Sequence, residues 1–273
     1  MPSEADQIAE FARITNPGAA TVTATPPPQT RWTYHSATRT STYAFLASLP
    51  LFVIYEVGIL MANGGQVMSV RVGADIWLKR LLAWFGGTGW MALGVAVLII
   101  GGVIYWAERN NRPPIAPRYF GLIIGESVIY AVVLAFIVGG VVSLLFSVWA
   151  VPEAMLQPMQ RLGLPHQLAL SIGAGLYEEL VFRVILVGGL FLLVHRFLPK
   201  RTKAYIVAAV IGAFIFSLVH YTGPMGDPFQ VSSFTFRFLF GLALNGVFLV
   251  RGFAVAAWTH ALYDVFVVTG GFN

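Results

Sequence analysis

The chain has 273 residues, of which 57% are hydrophobic and only 11% are charged, whereas a soluble domain carries about 25% charged residues. This composition excludes an ordinary soluble domain. It predicts a polytopic membrane protein, because several apolar runs reach the roughly 20 residues that cross a bilayer. The net charge of +5 is small and indicates basic loops rather than nucleic-acid binding. The absence of cysteine excludes disulfides, thiolate catalysis and cysteine-ligated metal.

Residues 1–40 differ in composition from the rest of the chain. They are rich in Pro, Thr and Ala and have no apolar period, which predicts a disordered polar tail. They also lack the charged and apolar regions of a signal peptide, so the first apolar run is expected to be a retained helix.

Residues 41–273 are predicted to form one all-α transmembrane helix bundle with about seven spans. Apolar runs, and the residues that interrupt them, place these spans at 43–62, 87–107, 119–150, 165–197, 203–221, 230–250 and 253–270. Between the first two spans, ADIWLKRLLAWFGG has apolar residues at helical spacing with Lys79 and Arg80 opposite. This pattern predicts an amphipathic helix that lies at the membrane interface.

Basic residues in the short loops predict the orientation of the bundle. The loops ERNNRPPIAPR and HRFLPKRTK and the residue Arg251 fall on one side of the membrane. Because basic loops stay in the cytoplasm, the N-terminus is expected to be cytoplasmic, and seven spans would put the C-terminus outside.

Ionisable residues within the spans are the candidates for function, because a charge at membrane depth costs at least a few kcal/mol. They are Glu56, Glu126, Glu178, Glu179, Arg183, His220, Arg237, His260 and Asp264. For Glu56, Glu126 and Arg237, and for the amide of Asn245, we expect structural polar contacts between helices.

The segment GLYEELVFR places two adjacent glutamates inside an apolar run. Glu179 and Arg183 are four residues apart, so they share a helix face and are predicted to pair. Glu178 lies about 100° further round an α-helix and has no such local partner. It therefore requires a partner from another helix.

Two histidines and an aspartate at membrane depth are available to Glu178. His220 ends the fifth span, and His260 and Asp264 share one face of the seventh. A carboxylate that accepts a proton from water, an imidazole that orients the water and further polar groups beside the oxyanion would form a water-activating site. Counting positions, however, puts His220 and His260 near opposite ends of their helices. A deeper fifth span, a re-entrant YTGPMGDPF segment or an earlier seventh span would bring them together.

Three motifs follow one another along the chain, on the fourth, fifth and seventh predicted spans. They are Glu-Glu-x-x-x-Arg at Glu178, Glu179 and Arg183, Phe-x-x-x-His at Phe216 and His220, and His-x-x-x-Asp at His260 and Asp264. Together they resemble the CPBP family of CAAX prenyl proteases and bacteriocin-processing intramembrane proteases. The resemblance covers about residues 165–270, and it implies an intramembrane endopeptidase of the glutamate type.

The resemblance also implies roles for four residues. Glu178 is the expected general base, His220 shares the catalytic water with it, and His260 and Asp264 form the oxyanion site. The family often has Asn at the last position, whereas an ionised Asp264 cannot donate to an oxyanion. Asp264 is therefore expected either to carry a proton or to orient His260 and favour its charged form.

Two other functions are compatible with the same residues. A zinc hydrolase could use Glu178, His220 and His260 as ligands, although the sequence has no His-Glu-x-x-His motif. A non-catalytic scaffold or immunity-type protein could share the fold.

The expectation is a protease with no cofactor, and zinc is the second choice of cofactor. Its expected partners are the lipid bilayer and a membrane-associated peptide or protein, and no nucleic acid is expected. The substrate is expected to be cut near a C-terminal anchor or sorting segment. The expected location is a bacterial inner membrane.

Overall fold

The computed structural model describes residues 32–66, 70–84, 88–147, 162–223 and 226–271. Within these ranges the chain is helical and contains no strand, so the all-α prediction is confirmed. In chain order the helices are α1 (Tyr34–Thr38), α2 (Ser41–Ala62), α3 (Gly73–Ala83), α4 (Gly89–Ala107), α5 (Pro117–Phe146), α6 (Leu164–Gly173), a π-helical segment (Ala174–Val187), α7 (Gly188–His195), α8 (Arg201–Val219), α9 (Val231–Arg251) and α10 (Phe253–Val268).

Four of these helices, α2, α5, α8 and α9, are long and apolar enough to cross a membrane. Two shorter apolar helical stretches are Met91–Ala107, within α4, and Phe253–Val268, which is α10. Large apolar side chains such as Leu98 and Leu144 face outward, at 76% and 87% exposure, and on helices of this length such a surface suits the hydrocarbon core of a bilayer. The chain is therefore an integral membrane protein, and the helices begin and end within a few residues of the predicted spans.

Helix α3 departs from its prediction. Its Asp75 and Lys79 are buried, whereas Trp77 and Leu81 are exposed, so the polar face is turned into the protein. The sequence pattern places Lys79 and Arg80 together opposite the apolar residues, whereas the structure buries Lys79 and leaves Arg80 exposed. The reason is Glu56 on α2, whose buried carboxylate lies 2.8 Å from Lys79 Nζ. Ion pairing of this kind offsets the large cost of burying each charge alone.

Helix α10 lies at the centre of the bundle and packs against α2, α5, α6, α9 and the π-helical segment. The four residues Ala254–Ala257 have no exposed surface, and such small side chains let neighbouring helices approach closely. Gly252 precedes α10 with a φ of +85°, a left-handed conformation that favours glycine. It lets the chain leave α9 and begin α10 one residue later.

The remaining predicted anchors connect separate parts of the chain, as expected. Glu126 on α5 accepts a hydrogen bond of 2.7 Å from Arg251 Nη2. Arg237 on α9 pairs with Asp227 of the preceding loop. Asn245 on α9 donates to the carbonyl of Ala209 on α8 at 3.0 Å, which confirms its predicted role between helices.

The predicted polar tail, residues 1–40, falls for the most part outside the described residues. Its last part forms α1, whose Tyr34 hydroxyl donates to Glu126 at 2.6 Å. Thr38 accepts a hydrogen bond from Arg251. These two contacts attach α1 to the same charged pair that joins α5 to the end of α9.

Candidate active site

The predicted catalytic glutamate lies on an unusual piece of helix. Residues Ala174–Val187 form a π-helix, in which hydrogen bonds span five residues, as between the Gly188 amide and the Arg183 carbonyl. π-Helices are rare and occur mostly as single-turn bulges, frequently at functional sites, whereas this segment has 14 residues. An α-helix was expected here. Tertiary contacts accompany the wider form, since Gly175 packs so tightly on α10 that a Cβ there would lie 2.5 Å from the Ala257 carbonyl oxygen.

Glu178 projects from this segment into a cavity of about 670 Å³. Its Oε2 atom is buried and has no hydrogen-bond partner among the described residues. The nearest cationic candidate is Nε2 of His220, 3.9 Å away. That distance is too long for a direct hydrogen bond, but it lets one water molecule contact both groups.

His220 stands at the C-terminal end of α8, with its ring held by the backbone. Its Nδ1 lies 2.7 Å from the Phe216 carbonyl oxygen. Because a carbonyl oxygen only accepts, Nδ1 must carry the proton of this bond. In the neutral ring the lone pair is then on Nε2, which is the atom that faces Glu178.

His260 on α10 lies between two carboxylates. Its Nδ1 donates to Glu179 Oε1 at 2.7 Å, and its Nε2 lies 3.6 Å from Asp264 Oδ2. Glu179 has no exposed surface and also forms the predicted ion pair with Arg183, at 2.9 Å. The contact between Glu179 and His260 was not predicted, and it connects the π-helical segment to α10.

The structure also answers the question of depth. The rings of His220 and His260 both contact Phe216, with centroids 4.9 Å and 6.0 Å from its own. Helices α8 and α10 begin and end close to the predicted positions, so revised boundaries are not the explanation. Of the YTGPMGDPF segment, Thr222, Gly223 and Asp227 line the cavity, so the chain that follows His220 stays at the site.

The cavity brings together the four residues for which catalytic roles were predicted. Its volume falls within the range of ordinary ligand pockets, and much of its wall is apolar. Besides Glu178, His220, His260 and Asp264, the lining includes Phe182, Phe216, Phe240, Val267, Val268, Asp227, Arg237 and, from α3 and the chain before it, Arg71, Val72, Ile76, Trp77 and Arg80.

Metal binding was the second choice for the site. In the portion of the chain with described coordinates, no group of three or more His, Asp or Glu side chains is placed to hold a metal ion. A chelation experiment is the direct test of a metal requirement.

Sequence reasoning missed a second set of charges, which contacts the π-helical segment through Tyr177. It consists of Glu56, Arg71, Asp75 and Lys79, and we call it the ionic cluster. Tyr177 donates to Glu56 Oε1 at 2.8 Å. The available signal was the spacing of Arg71, Asp75 and Lys79, each four residues after the last, which places all three on one helix face.

Comparison with known proteins agrees with the motifs. Residues 160–266 match the family described as Rce1-like, type II CAAX prenyl endopeptidase. The matched range contains all three motifs, so the resemblance that they carry is confirmed. No curated protein and no solved structure matches the chain.

Proposed function

We propose, from the match of residues 160–266 to the Rce1-like family, that the protein is an intramembrane endopeptidase of the glutamate type. The family supports a CAAX-type membrane protease in general. One observation carries the finer proposal. Glu178 Oε2 is buried at a cavity without a hydrogen-bond partner among the described residues, 3.9 Å from His220 Nε2.

The two groups suit a water molecule as nucleophile. The Glu178 carboxylate accepts hydrogen bonds, and His220 Nε2 accepts one while Nδ1 donates to Phe216. A water between them donates one hydrogen to each. Its oxygen lone pair is then directed away from both, toward a carbonyl carbon in the cavity. Oriented general-base catalysis of this kind contributes about a hundred- to ten-thousandfold in rate.

In the proposed reaction, Glu178 takes a proton from the water as the oxygen adds to the scissile carbonyl. The carbonyl oxygen becomes an oxyanion, and the same proton is then passed to the leaving nitrogen as the C–N bond breaks. The products are a carboxylic acid and an amine, so the reaction consumes one water and needs no electron acceptor.

His260 is the proposed donor to the oxyanion. With Nδ1 donating to Glu179, a second proton on Nε2 would supply the donor, and preorganised donors of this kind are often the largest catalytic contribution. Glu179 and Asp264 would balance the charge of this imidazolium. Asp264, 3.6 Å from Nε2, then has the role of orienting His260 rather than of binding the oxyanion itself.

The proposed substrate is a membrane-associated peptide or protein, cut near a C-terminal anchor or sorting segment. The apolar lining of the cavity suits a hydrophobic segment, and the wall formed by α3 carries exposed Trp77 and Arg80. We also propose a bacterial inner membrane as the location, and the basic loops support a cytoplasmic N-terminus.

The experiment compares the termini of membrane proteins in cells that produce the wild-type protein or the Glu178→Gln variant at equal levels. The expected result is a set of new C-termini that requires wild-type Glu178. Identical termini in both cells would overturn the proposal and favour a non-catalytic membrane protein.

A further inference from the structure

Three consecutive side chains of the π-helical segment point to three different parts of the molecule. Tyr177 is 2% exposed and donates to Glu56 in the ionic cluster. Glu178 lines the cavity. Glu179 contacts His260 and Arg183. The candidate base is therefore flanked on both sides by residues with fixed buried partners.

The Tyr177 contact attaches the catalytic segment to two other elements. Glu56 is on α2, and its carboxylate also binds Lys79 of α3 and Arg71 just before α3, at 2.8 and 3.1 Å. Lys79 Nζ additionally lies 5.9 Å from the centre of the Tyr177 ring, within the range of a cation–π contact. The acceptor of the Tyr177 hydroxyl is thus held in place by two cations.

A π-helix has particular need of such contacts. Isolated π-helices of this length are rare because the α-helical hydrogen-bond pattern is the more stable one. A shift from five-residue to four-residue hydrogen bonds would rotate Glu178 about the helix axis. Its Oε2 would then leave the position 3.9 Å from His220 Nε2, at which one water can contact both groups.

We propose that the hydrogen bond from Tyr177 to Glu56 holds the π-helical register that places Glu178, so that Tyr177 is a positioning residue of the active site. This inference rests on the proposed function for its catalytic consequence. Its structural part, the dependence of the register on Tyr177, stands independently of any activity.

The ionic cluster supplies a matched control. Tyr55 has no exposed surface. Like Tyr177, it donates a 2.8 Å hydrogen bond to a carboxylate of the cluster, in this case Asp75. The rings of Tyr55 and Tyr177 pack edge to face, with their centroids 5.2 Å apart. Tyr55 differs in being on α2, and its hydroxyl also accepts from the Val72 amide. Tyr55→Phe and Tyr177→Phe therefore remove the same chemical group from the same cluster, but only Tyr177→Phe releases the catalytic segment.

The first readout is hydrogen–deuterium exchange of the full-length protein in detergent. In Tyr177→Phe, exchange of the amides in 174–187 should accelerate several-fold. In Tyr55→Phe, the acceleration should be confined to the chain around Val72. Unchanged exchange of 174–187 in Tyr177→Phe, or equal acceleration in both variants, would overturn the proposal.

The second readout is cleavage of a fluorogenic peptide that spans a bond identified by the comparison of termini. Tyr177→Phe should lower kcat by up to roughly a hundredfold, the loss that a misplacement of about 1 Å can cause, with KM unchanged. Tyr55→Phe should keep the wild-type kcat even if its melting temperature falls as much as that of Tyr177→Phe. Equal kcat in the two variants would contradict a positioning role. A wild-type protein without cleavage would refute the proposed function instead, and the exchange data would still decide the inference.

Discussion

The ionic cluster and the polar groups around the cavity contain similar side chains, but they are paired to different degrees. In the cluster, each carboxylate oxygen of Glu56 and Asp75 lies within 3.1 Å of a nitrogen of Arg71 or Lys79. At the cavity, Glu178 is 3.9 Å from its nearest partner. Closely ion-paired charges of this kind hold helices together, whereas a carboxylate at a cavity with no cation closer than 3.9 Å is available to water and substrate.

The largest expected effect on the cleavage rate comes from a substitution at the cavity, at His220. His220→Ala removes the acceptor that orients the water, so the cleavage rate should fall roughly a hundred- to ten-thousandfold. The melting temperature should change little, because the side chain is 25% exposed and its hydrogen bond is local. His195→Ala, a change at a partly exposed histidine with a similar local contact, is the control and should cleave normally. A fully active His220→Ala protein would contradict the assigned role.

Glu179 belongs to the paired group although it adjoins Glu178. Glu179→Ala leaves Arg183 unpaired in the bundle interior, which should cost about 3–5 kcal/mol of stability, measured by unfolding in detergent. The double change Glu179→Ala with Arg183→Ala should cost less than the sum of the single changes. Strict additivity would show that the two side chains are not coupled.

The contact between the π-helical segment and α10 can be tested by replacing glycines with alanine. Gly175→Ala places a Cβ about 2.5 Å from the Ala257 carbonyl oxygen, so we expect a loss of about 1–3 kcal/mol from overpacking. Cleavage should also fall, since Glu178 and His260 are forced apart. Gly189→Ala in α7 is the matched control, because a Cβ there meets no atom within 4 Å. Equal stability of the two variants would show that the π-helical segment and α10 can move apart without cost.

The smallest expected effect is that of a chelator. If Glu178 and His220 activate water by themselves, cleavage should survive strong chelation and dialysis, and elemental analysis should find less than one zinc per chain. Loss of cleavage that added zinc restores would replace the glutamate mechanism with a zinc-dependent one.

The helices and the motif residues could be predicted because their signals are local. Apolar runs mark α2, α5, α8 and α9, and the spacing of Glu179 and Arg183 is enough to predict their pair. The inward face of α3 could not be predicted from α3 alone, since the partners toward which Lys79 and Asp75 turn include Glu56 and Tyr55 on α2.

The details that complete the site also depend on distant partners. The bond between Glu179 and His260 joins residues 81 positions apart, and no local pattern indicates it. The π-helical form of 174–187 likewise has no motif in its sequence. It accompanies contacts that Gly175, Tyr177 and Glu179 make with other helices.

The central claim is that Glu178 is the base and has no structural partner to lose. Its most direct test is Glu178→Gln, with cleavage and melting temperature measured on the same detergent preparation. The account predicts that cleavage is abolished, because an amide cannot take the proton from water, and that the melting temperature is unchanged, because no ion pair is broken. Full cleavage by the Gln variant would contradict the account.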